Sequence, residues 1–265
     1  MSFQIRALTR HPAPDVLNTG AQFAIFFTGL TQPLSPSLAE AGPAPAFLAP
    51  QHAAQGASQP AAAGFYATRA KRGIDMVLSA LLIVLSAPAL VLLALALWAE
   101  SGNPFYSQPR LGRNGRVFRM FKLRSMVKGA EGKLAACLAA DPALKAEWDR
   151  NQKLKNDPRV TPLGRLVRKT SMDELPQLFN VLRGDMSLIG PRPMLSDQMP
   201  LYLHPEAYLA LRPGLSGLWQ VSARNDEDFD TRAMLDRKYL QRISFWLDLR
   251  ILLATFRAVV RATGY

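Results

Sequence analysis

The longest apolar run of the chain lies between Asp75 and Glu100, and none of the 24 residues between them is charged. As a straight α-helix, rising about 1.5 Å per residue, the run would reach about 36 Å, enough to cross the hydrocarbon core of a bilayer. Pro88 lies in the middle of the run, two residues after Ser86. Because proline removes a backbone donor and crowds the carbonyl four residues earlier, the pattern predicts a bent membrane helix over residues 65–100.

Basic residues flank this run on both sides. Three precede it (Arg69, Lys71 and Arg72), and seven follow it (Arg110, Arg113, Arg116, Arg119, Lys122, Arg124 and Lys128). Flanks of this kind stay on the cytoplasmic side of the membrane. A bent helix with both ends held there enters the bilayer and turns back, so we favour a re-entrant helix. A kinked helix that spans the bilayer is the alternative.

The segment before the helix has a different composition. Residues 33–64 are low-complexity sequence, rich in Ala, Pro, Gly and Gln, with no periodic apolar face. Such a segment buries too little apolar surface to offset the entropy of ordering the chain. Residues 1–64 are therefore predicted to be a disordered tail.

Residues 101–265 carry shorter patterns, typical of a compact, mostly helical α+β domain. The segment "VFRMFKLRSM" (117–126) alternates in part and predicts a strand. Residues 131–155 predict a helix that is interrupted near Pro142. The segment "LPQLFNVLRGD" (175–185) predicts a helix that ends at Gly184, with an apolar face made of Leu175, Leu178, Phe179 and Leu182.

The last long pattern, residues 231–262, predicts further helix. Its part "ISFWLDLRILLATFRAVV" is rich in aromatic and branched apolar residues, with Arg and Asp at the remaining positions. That composition suits an amphipathic helix in a membrane interface, and a C-terminal core helix explains it equally well.

The net charge of +12 falls entirely after residue 64, because the tail contains two Arg, one Asp and one Glu. Such a surplus needs an anionic partner, which can be nucleic acid, anionic lipid or a phosphorylated substrate. The single cysteine, Cys137, excludes an intramolecular disulfide framework, and His204 is the one histidine beyond the tail. Neither a P-loop nor a dinucleotide-binding glycine motif is present in the sequence.

An acidic pair, Asp173 and Glu174, stands inside the basic stretch "RKTSMDELPQLFNVLRGD" (168–185). Ser171 and Glu174 have the spacing of a capping box, which predicts that the pair lies in the first turn of a helix. The pair could then simply complement the helix dipole. The basic neighbours instead favour a phosphate site in which the carboxylates have a lowered pKa and are ionised at pH 7. They are Arg165, Arg168, Lys169 and Arg183.

An ionised carboxylate can attack phosphorus when a metal and arginines screen the phosphate charge. Two adjacent carboxylates allow one to attack while the other helps to hold a hard cation such as Mg²⁺. Lys122 and Arg124 are two residues apart, so on a strand they point at one anion. Arg192 lies between two prolines, which present it on a rigid loop.

Four long motifs then occur in a fixed order: "KRGIDMVLS", "FYSQPRLGRNGRVFRMFKLRSM", "NDPRVTPLGRLVRKTSMDELPQLFNVLRGDMSLIGPRP" and "RPGLSGLWQVSARND". Over about residues 66–265 the chain resembles the bacterial sugar transferase family, the monotopic polyprenyl-phosphate phosphoglycosyl transferases. It looks most like the small members that begin exopolysaccharide repeat units by transferring galactose-1-phosphate. The re-entrant helix of this family breaks at a Ser-Pro pair, which Ala87 separates in this chain.

The resemblance implies a two-step reaction. An aspartate attacks a UDP-sugar, in which galactose or glucose is favoured, and forms a covalent phosphosugar enzyme as UMP leaves. Undecaprenyl phosphate then accepts the sugar phosphate. Asp173 matches the nucleophile and Glu174 the Mg²⁺-binding neighbour. The phosphate- and nucleotide-binding positions match Lys122, Arg124, Arg168, Arg192 and Arg224, and two further motif positions match Asp185 and Asp236.

The same resemblance implies a location on the bacterial cytoplasmic membrane, with the catalytic domain (residues 101–265) on the cytosolic face. The expected partners are the two substrates and the bilayer, without nucleic acid, and homo-oligomer formation is left open. A membrane-tethered binding protein for nucleic acid or anionic lipid is the rival hypothesis. It explains the positive charge but not the two acids among the arginines.

Overall fold

The computed structural model describes residues 64–151, 154–222 and 229–260. Almost all of the predicted tail (1–64) and the predicted site residue Arg224 lie outside these ranges. The described part is mostly helical with two small sheets, which confirms the predicted class. The helices are α1 (Lys71–Ser101), α2 (Ala130–Ala140), α3 (Pro142–Asn151), α4 (Pro162–Lys169), α5 (Gln177–Arg183), α6 (Pro205–Ala210), α7 (Leu218–Ser222), α8 (Phe229–Arg242) and α9 (Phe245–Val260). The strands are β1 (Phe105–Leu111), β2 (Val117–Leu123), β3 (Ser187–Ile189) and β4 (Gly214–Ser216).

The apolar run forms α1, which follows a π-helical turn over Tyr66–Ala70. Among the described residues, Tyr66–Ser101 is the one helical stretch long and apolar enough, by length and composition, to cross a membrane. The helix continues through Pro88. The Ser86 hydroxyl donates to the carbonyl of Leu82 at 2.7 Å, a bond of the kind that often bends helices. The helix is therefore confirmed, and its re-entrant passage stays a prediction.

Both ends of α1 contact the rest of the domain. Near the first end, Asp75 accepts hydrogen bonds from the Ser187 hydroxyl at 2.7 Å and the Leu188 amide at 3.1 Å. Near the other end, Leu97 is buried and the Glu100 carboxylate accepts from the Leu163 amide at 3.2 Å. Between the two ends, the exposed apolar side chains are Met76, Val77, Leu81, Leu82, Val84, Leu85, Val91, Leu92 and Leu95.

The strands β1 and β2 form an antiparallel hairpin in which Tyr106 pairs with Lys122. The chain reverses direction through Asn114 and Gly115, which both have positive φ. The strand predicted for residues 117–126 is confirmed, although β2 ends at Leu123. Arg124 follows it directly.

The second sheet is a parallel pair, β3 and β4, in which Ser187 pairs with Gly214. The two backbones approach so closely that a Cβ on Gly214 would lie 2.1 Å from the nitrogen of Gly190. A Cβ on Gly217 would lie 2.1 Å from the carbonyl oxygen of Gly190. These glycines are required by the close packing of backbone on backbone.

Helix α5 lies at the centre of the larger core and ends at Gly184, which has a left-handed conformation, as predicted. On the predicted apolar face, Leu178 is fully buried and the other three residues are partly buried. Val181, which was not part of the predicted face, is also fully buried. The buried Asn180 side chain joins α5 to β2. It accepts from the Phe121 amide at 3.0 Å and donates to the Arg119 carbonyl at 2.8 Å.

The remaining helices agree with the sequence patterns. The predicted helix over 131–155 is interrupted at Asp141 and continues as α3 from Pro142. The C-terminal pattern divides into α8 and α9. In α9, Ile251 belongs to the core, as expected for a core helix, while a second set of apolar side chains is exposed, as expected for an amphipathic helix. The exposed set is Phe245, Trp246, Leu253, Phe256, Val259 and Val260.

Candidate active site

The acidic pair lies in a short 3₁₀ turn, Met172–Glu174, between α4 and α5. The predicted capping box is wrong. Ser171 has a left-handed conformation (φ 57°) and its side chain makes no cap hydrogen bond, whereas an N-cap residue needs an extended backbone. Helix α5 begins only at Gln177, with Pro176 as its N-cap. The pair therefore projects from a tight connection rather than from the first turn of the helix.

Lys122 on β2 reaches the pair, because its Nζ lies 2.8 Å from Oε1 of Glu174. The two side chains are 23% and 31% exposed, so the ion pair is partly shielded from water and still open to a ligand. The hydrogen bonds of Asn180 fix the distance between β2 and α5, and thereby the approach of Lys122 to Glu174.

The two carboxylates have different electrostatic surroundings. Burial opposes ionisation of Glu174, but the charges of Lys122 and Arg192 and a hydrogen bond from Gln177 hold its pKa below the ordinary value. Burial raises the pKa of Asp173 to about 6, Glu174 adds to this rise, and Lys122 and Arg168 oppose it. The lowered pKa predicted for the pair is therefore wrong for Asp173. At pH 7 a carboxyl of this pKa is still about nine-tenths ionised.

Arg168 approaches the pair from α4. Its Nε donates to the Ser125 hydroxyl at 2.8 Å. Burial lowers the pKa of Arg168, and the charge of Asp173 acts in the opposite direction. A Cβ on Gly164 would lie 2.0 Å from the Ser125 carbonyl oxygen, so the missing side chain lets α4 pack against this segment. Arg124, just before it, donates to the Phe105 carbonyl at 3.2 Å.

Arg192 lies on the loop that follows β3, as predicted, between the buried rings of Pro191 and Pro193. The Gly190 amide anchors this loop by donating to the Ser216 carbonyl at 2.9 Å. The Arg192 side chain is exposed, and its charge contributes to the lowered pKa of Glu174. The loop therefore faces the acidic pair.

The two other predicted aspartates, Asp236 and Asp185, have different surroundings. Asp236 is buried on α8 and accepts a hydrogen bond from the Tyr202 hydroxyl. Burial raises the pKa of Asp236 to about 6, against the hydrogen bond from Tyr202 and the charge of Arg232. Asp185, at the far end of α5, contacts Asn180 and Arg183 and makes no described contact with the pair.

Two arginines near the Arg192 loop were not singled out from the sequence as site residues. Arg110 donates to the Pro193 carbonyl at 3.4 Å, and Arg232 donates to the Arg192 carbonyl. The i, i+4 spacing of Arg232 and Asp236 on one helix would have indicated that they share a face. For Arg110 the sequence offers only its place in the basic stretch after α1.

The donors available to a magnesium ion are few. In the described ranges no group of three or more His, Cys, Asp or Glu residues could hold a metal by itself. Magnesium, however, is commonly bound by one or two carboxylates together with substrate phosphates and water. Glu174, ionised and partly exposed, and Asp173 beside it fit that requirement.

Comparison with known proteins shows which family the chain belongs to. The family model described as "Bacterial sugar transferase" matches residues 66–262. The undecaprenyl-phosphate galactose phosphotransferase of Salmonella typhimurium is 46% identical over 195 residues, which are 73% of this chain and 41% of that protein.

Two further relatives differ in how much of their own length is matched. The exopolysaccharide production protein ExoY of Sinorhizobium fredii is 42% identical over 73% of this chain and 87% of its own length. The undecaprenyl-phosphate glucose phosphotransferase of Komagataeibacter xylinus is 39% identical over 71% of this chain and 35% of its own length. The chain thus spans about two fifths of the Salmonella relative and most of ExoY. With the family match over residues 66–262, these similarities show that the chain belongs to the bacterial sugar transferase family.

Proposed function

We propose that this protein transfers a sugar-1-phosphate from a UDP-sugar to undecaprenyl phosphate, with galactose or glucose as the favoured sugar. The observation that carries the proposal is the ionised pair Asp173–Glu174 among Lys122, Arg168 and Arg192. The names of the Salmonella and Komagataeibacter relatives support the acceptor and the sugars. The name of the Sinorhizobium relative supports a role in exopolysaccharide production, and we place the transfer at the start of that synthesis.

In the first half-reaction, an Asp173 oxygen forms a bond to the phosphorus that carries the sugar. The bond from that phosphorus to the bridging oxygen breaks, and its electron pair leaves with UMP. In the second half-reaction, a phosphate oxygen of undecaprenyl phosphate attacks the same phosphorus, and the Asp173 carboxylate is released. Covalent catalysis of this kind needs only one transfer site.

The neighbouring side chains orient the phosphates and compensate their charge. Arg168 acts electrostatically on Asp173, Lys122 forms an ion pair with Glu174, and the charge of Arg192 also acts on Glu174, so each carboxylate has cationic neighbours. A magnesium ion held by Glu174 would supply further screening of the phosphate charge. Fixed cations in a partly dehydrated site stabilise developing negative charge more strongly than water does.

The placement on the membrane is part of the proposal. We place the domain on the cytosolic face of the cytoplasmic membrane, with α1 as a re-entrant helix. Both ends of α1 contact the same domain, through Asp75 and Glu100, whereas a helix that spans the bilayer would place its two ends on opposite faces of the membrane. The exposed apolar side chains between the ends, and those of α9, provide the surface that would enter the lipid.

Replacement of the proposed nucleophile tests the reaction. Asp173→Asn should abolish release of UMP from UDP-galactose and UDP-glucose, with a loss of at least about a thousandfold. Incubation of the wild-type protein with donor alone should give a sugar-phosphate adduct on the peptide that contains Asp173. Asp149→Asn is the control, because Asp149 is exposed on α3 and its one ion pair among the described residues is with Lys145. Turnover without any adduct would contradict the covalent mechanism, and absence of turnover with every UDP-sugar would contradict the function.

The rival hypothesis, a membrane-tethered binding protein for nucleic acid or anionic lipid, has no observation in its favour beyond the positive charge. It assigns no role to the ionised Glu174 and the buried Asp173. A binding protein would also release no UMP in this assay.

A further inference from the structure

Three arginines lie together at the loop that follows β3. Arg192 is on the loop itself, and the other two contact the loop from β1 and α8. Arg232 from α8 donates to the Arg192 carbonyl, and Arg110 from β1 donates to the Pro193 carbonyl at 3.4 Å. Two guanidinium groups from distant parts of the chain are thus fixed to the loop that carries a third.

The Arg232 side chain is held in an unusual environment for a cation. It is 8% exposed, and its guanidinium carbon lies 5.8 Å from the ring centre of Tyr202 and 5.6 Å from that of Trp219. Stacking of this kind orients a guanidinium and stabilises its charge. It does not use the N–H donors, which lie in the plane of the group.

Part of the donor capacity in this cluster is unused. The Nε atoms of Arg110 and Arg232 are buried, and neither has a hydrogen-bond partner within the described part of the chain. A buried donor without a partner costs free energy, and more so when it is charged. An acceptor bound beside these side chains would remove that cost.

The local positive charge is only partly compensated, because one buried acid, Asp236, acts on Arg232. Burial, followed by the charges of Arg192 and Arg232, lowers the pKa of Arg110 to about 10. The nearest buried acid is Asp236, which accepts its hydrogen bond from Tyr202 and forms no described ion pair with Arg232. Glu174 is already paired with Lys122. The cluster therefore has a surplus of cations that an anion can neutralise.

We propose that Arg110 and Arg232, together with Arg192, form a second phosphate subsite, for the phosphate that is not transferred to Asp173. This inference rests on the proposed function. A nucleotide diphosphate presents two adjacent phosphates, and Arg192 connects the two sites because its charge acts on Glu174 and on both arginines. Lys122 and Arg168 hold the phosphate that is transferred, and the arginine cluster holds the phosphate of UMP.

The same subsite then serves the acceptor. In an in-line displacement, the group that attacks the phosphosugar in the second half-reaction enters from the side where UMP left. The phosphate of undecaprenyl phosphate consequently occupies the arginine cluster in its turn. One subsite of fixed cations thus recognises two substrates that share only a phosphate group.

Binding of UMP without turnover tests the subsite. The full-length protein in lipid nanodiscs is titrated with UMP and, separately, with uridine, by tryptophan fluorescence, with Trp219→Phe identifying the signal next to Arg232. Arg232→Gln and Arg110→Gln should each raise the Kd for UMP about tenfold or more, because each removes charged hydrogen bonds to phosphate. The affinity for uridine, which lacks the phosphate, should not change.

The control is Arg237→Gln, which removes the same charge from the exposed face of the same helix and contacts only His204 among the described residues. Its Kd for UMP should equal that of the wild-type protein. Equal Kd values for the Arg232, Arg110 and Arg237 variants would overturn the proposal. A parallel loss of uridine binding would also overturn it, since that is the result of a purely structural role. If Arg232→Gln lowers the Tm, the Kd for UMP of two other variants decides whether the subsite exists. They are Arg232→Lys, and Arg110→Gln at a less buried position.

A second arm distinguishes the two sources of phosphate. Enzyme preloaded with phosphosugar is mixed with undecaprenyl phosphate, and the KM for the acceptor should rise about tenfold in the same variants. An unchanged acceptor KM would overturn the shared use of the subsite. UMP binding that depends on Arg232 in a protein with no turnover would leave the subsite standing and refute the proposed function. Turnover together with UMP binding that does not depend on Arg232 would support the proposed function and refute the subsite.

Discussion

At the scale of single residues, Asp173 is set apart by a pKa that burial raises to about 6 beside a Glu174 whose pKa is lowered. Burial raises the pKa of both carboxyls, but at Glu174 the charges of Lys122 and Arg192 and the hydrogen bonds from Lys122 and Gln177 outweigh it. At Asp173 the charges of Lys122 and Arg168 do not outweigh burial and the charge of Glu174. The raised pKa makes Asp173 more basic and so more nucleophilic than an ordinary aspartate, while leaving it largely ionised at neutral pH.

This predicts the pH dependence of the first half-reaction. The rate of UMP release in a single turnover should rise with pH, with a midpoint of about 6, and become constant above about 7, because only ionised Asp173 attacks. Glu174→Gln removes a negative neighbour and frees Lys122, so the midpoint should move to lower pH while the maximum rate falls. Rapid-quench measurements between pH 4.5 and 8 would check both, and a midpoint that rises in the variant would contradict the assignment.

The same raised pKa has a consequence for stability. A carboxyl whose pKa is higher in the folded than in the unfolded state destabilises the fold increasingly as the pH rises above the unfolded pKa, and the effect is complete above the folded pKa. Asp173→Asn should therefore stabilise the protein at pH 7 by of the order of 1 kcal/mol, after allowance for solvent screening, or about 2–4 °C in Tm. The gain should fade as the pH falls from 6 to 4. Thermal unfolding at several pH values would reveal it, and a variant less stable at pH 7 would contradict the raised pKa.

The sequence was sufficient to identify the residues of the pair and most of their cations, since their types and order are read directly. It was not sufficient for the pKa of Asp173, because that value depends on how burial balances the charges of Lys122 and Arg168 in three dimensions. Arg232 was overlooked for a similar reason. Its role depends on two aromatic rings, one of them on a distant part of the chain.

At the scale of elements, the contact between α1 and α9 is made by one buried carboxylate. Asp248 on α9 accepts hydrogen bonds from the Tyr66 hydroxyl, the Lys71 ammonium and the Tyr239 hydroxyl, each at 2.7 Å. The Lys71 and Asp248 side chains are only 13% and 9% exposed. Two helices with exposed apolar side chains are thus held together by a polar network inside the domain.

Removal of this carboxylate should loosen the connection. Asp248→Ala leaves the Lys71 charge buried without its partner, which costs about 3 kcal/mol of unfolding free energy in comparable pairs. Thermal unfolding in detergent would measure the loss. Asp149→Ala is the matched control, because its pair with Lys145 is more than half exposed and should contribute no more than about 0.5 kcal/mol. Equal effects of the two substitutions would contradict the role given to Asp248.

Elements with a clear period or a strong terminator were predicted correctly from the sequence. Helix α5 with its stop at Gly184, the strand β2 and the interruption at Pro142 are examples. The capping box failed because spacing alone cannot show that Ser171 takes a left-handed conformation. The parallel pair β3–β4 was not predicted, since each strand has only three residues and pairs with a distant part of the chain.

At the scale of the whole molecule, the exposed apolar side chains of α1 and α9 form the surface that we propose to bind the membrane, and the contacts of Asp75 and Glu100 keep both ends of α1 on one domain. An interfacial surface of this kind keeps a soluble sugar donor and a lipid acceptor within reach of one site.

The topology can be tested in cells with the native cysteine removed by Cys137→Ser. Cysteines introduced as Gly64→Cys and Asn103→Cys should both resist a membrane-impermeant thiol reagent in intact cells and both react in inside-out vesicles. The reason is that a re-entrant helix leaves residues before 70 and after 100 in the cytoplasm. Labelling of the cysteine at position 64 in intact cells would show that α1 spans the bilayer.

The glycine contact between the two parallel strands limits how the chain can vary. Gly190, Gly214 and Gly217 carry no chemical group, yet any side chain there would push apart two backbones that are already in contact. Arg192 lies two residues after Gly190, so the displacement would directly reach the loop that we propose to bind phosphate. Evolutionary freedom at the catalytic loop is therefore restricted by three positions that take no part in the chemistry, and a library that diversifies this loop should leave them untouched.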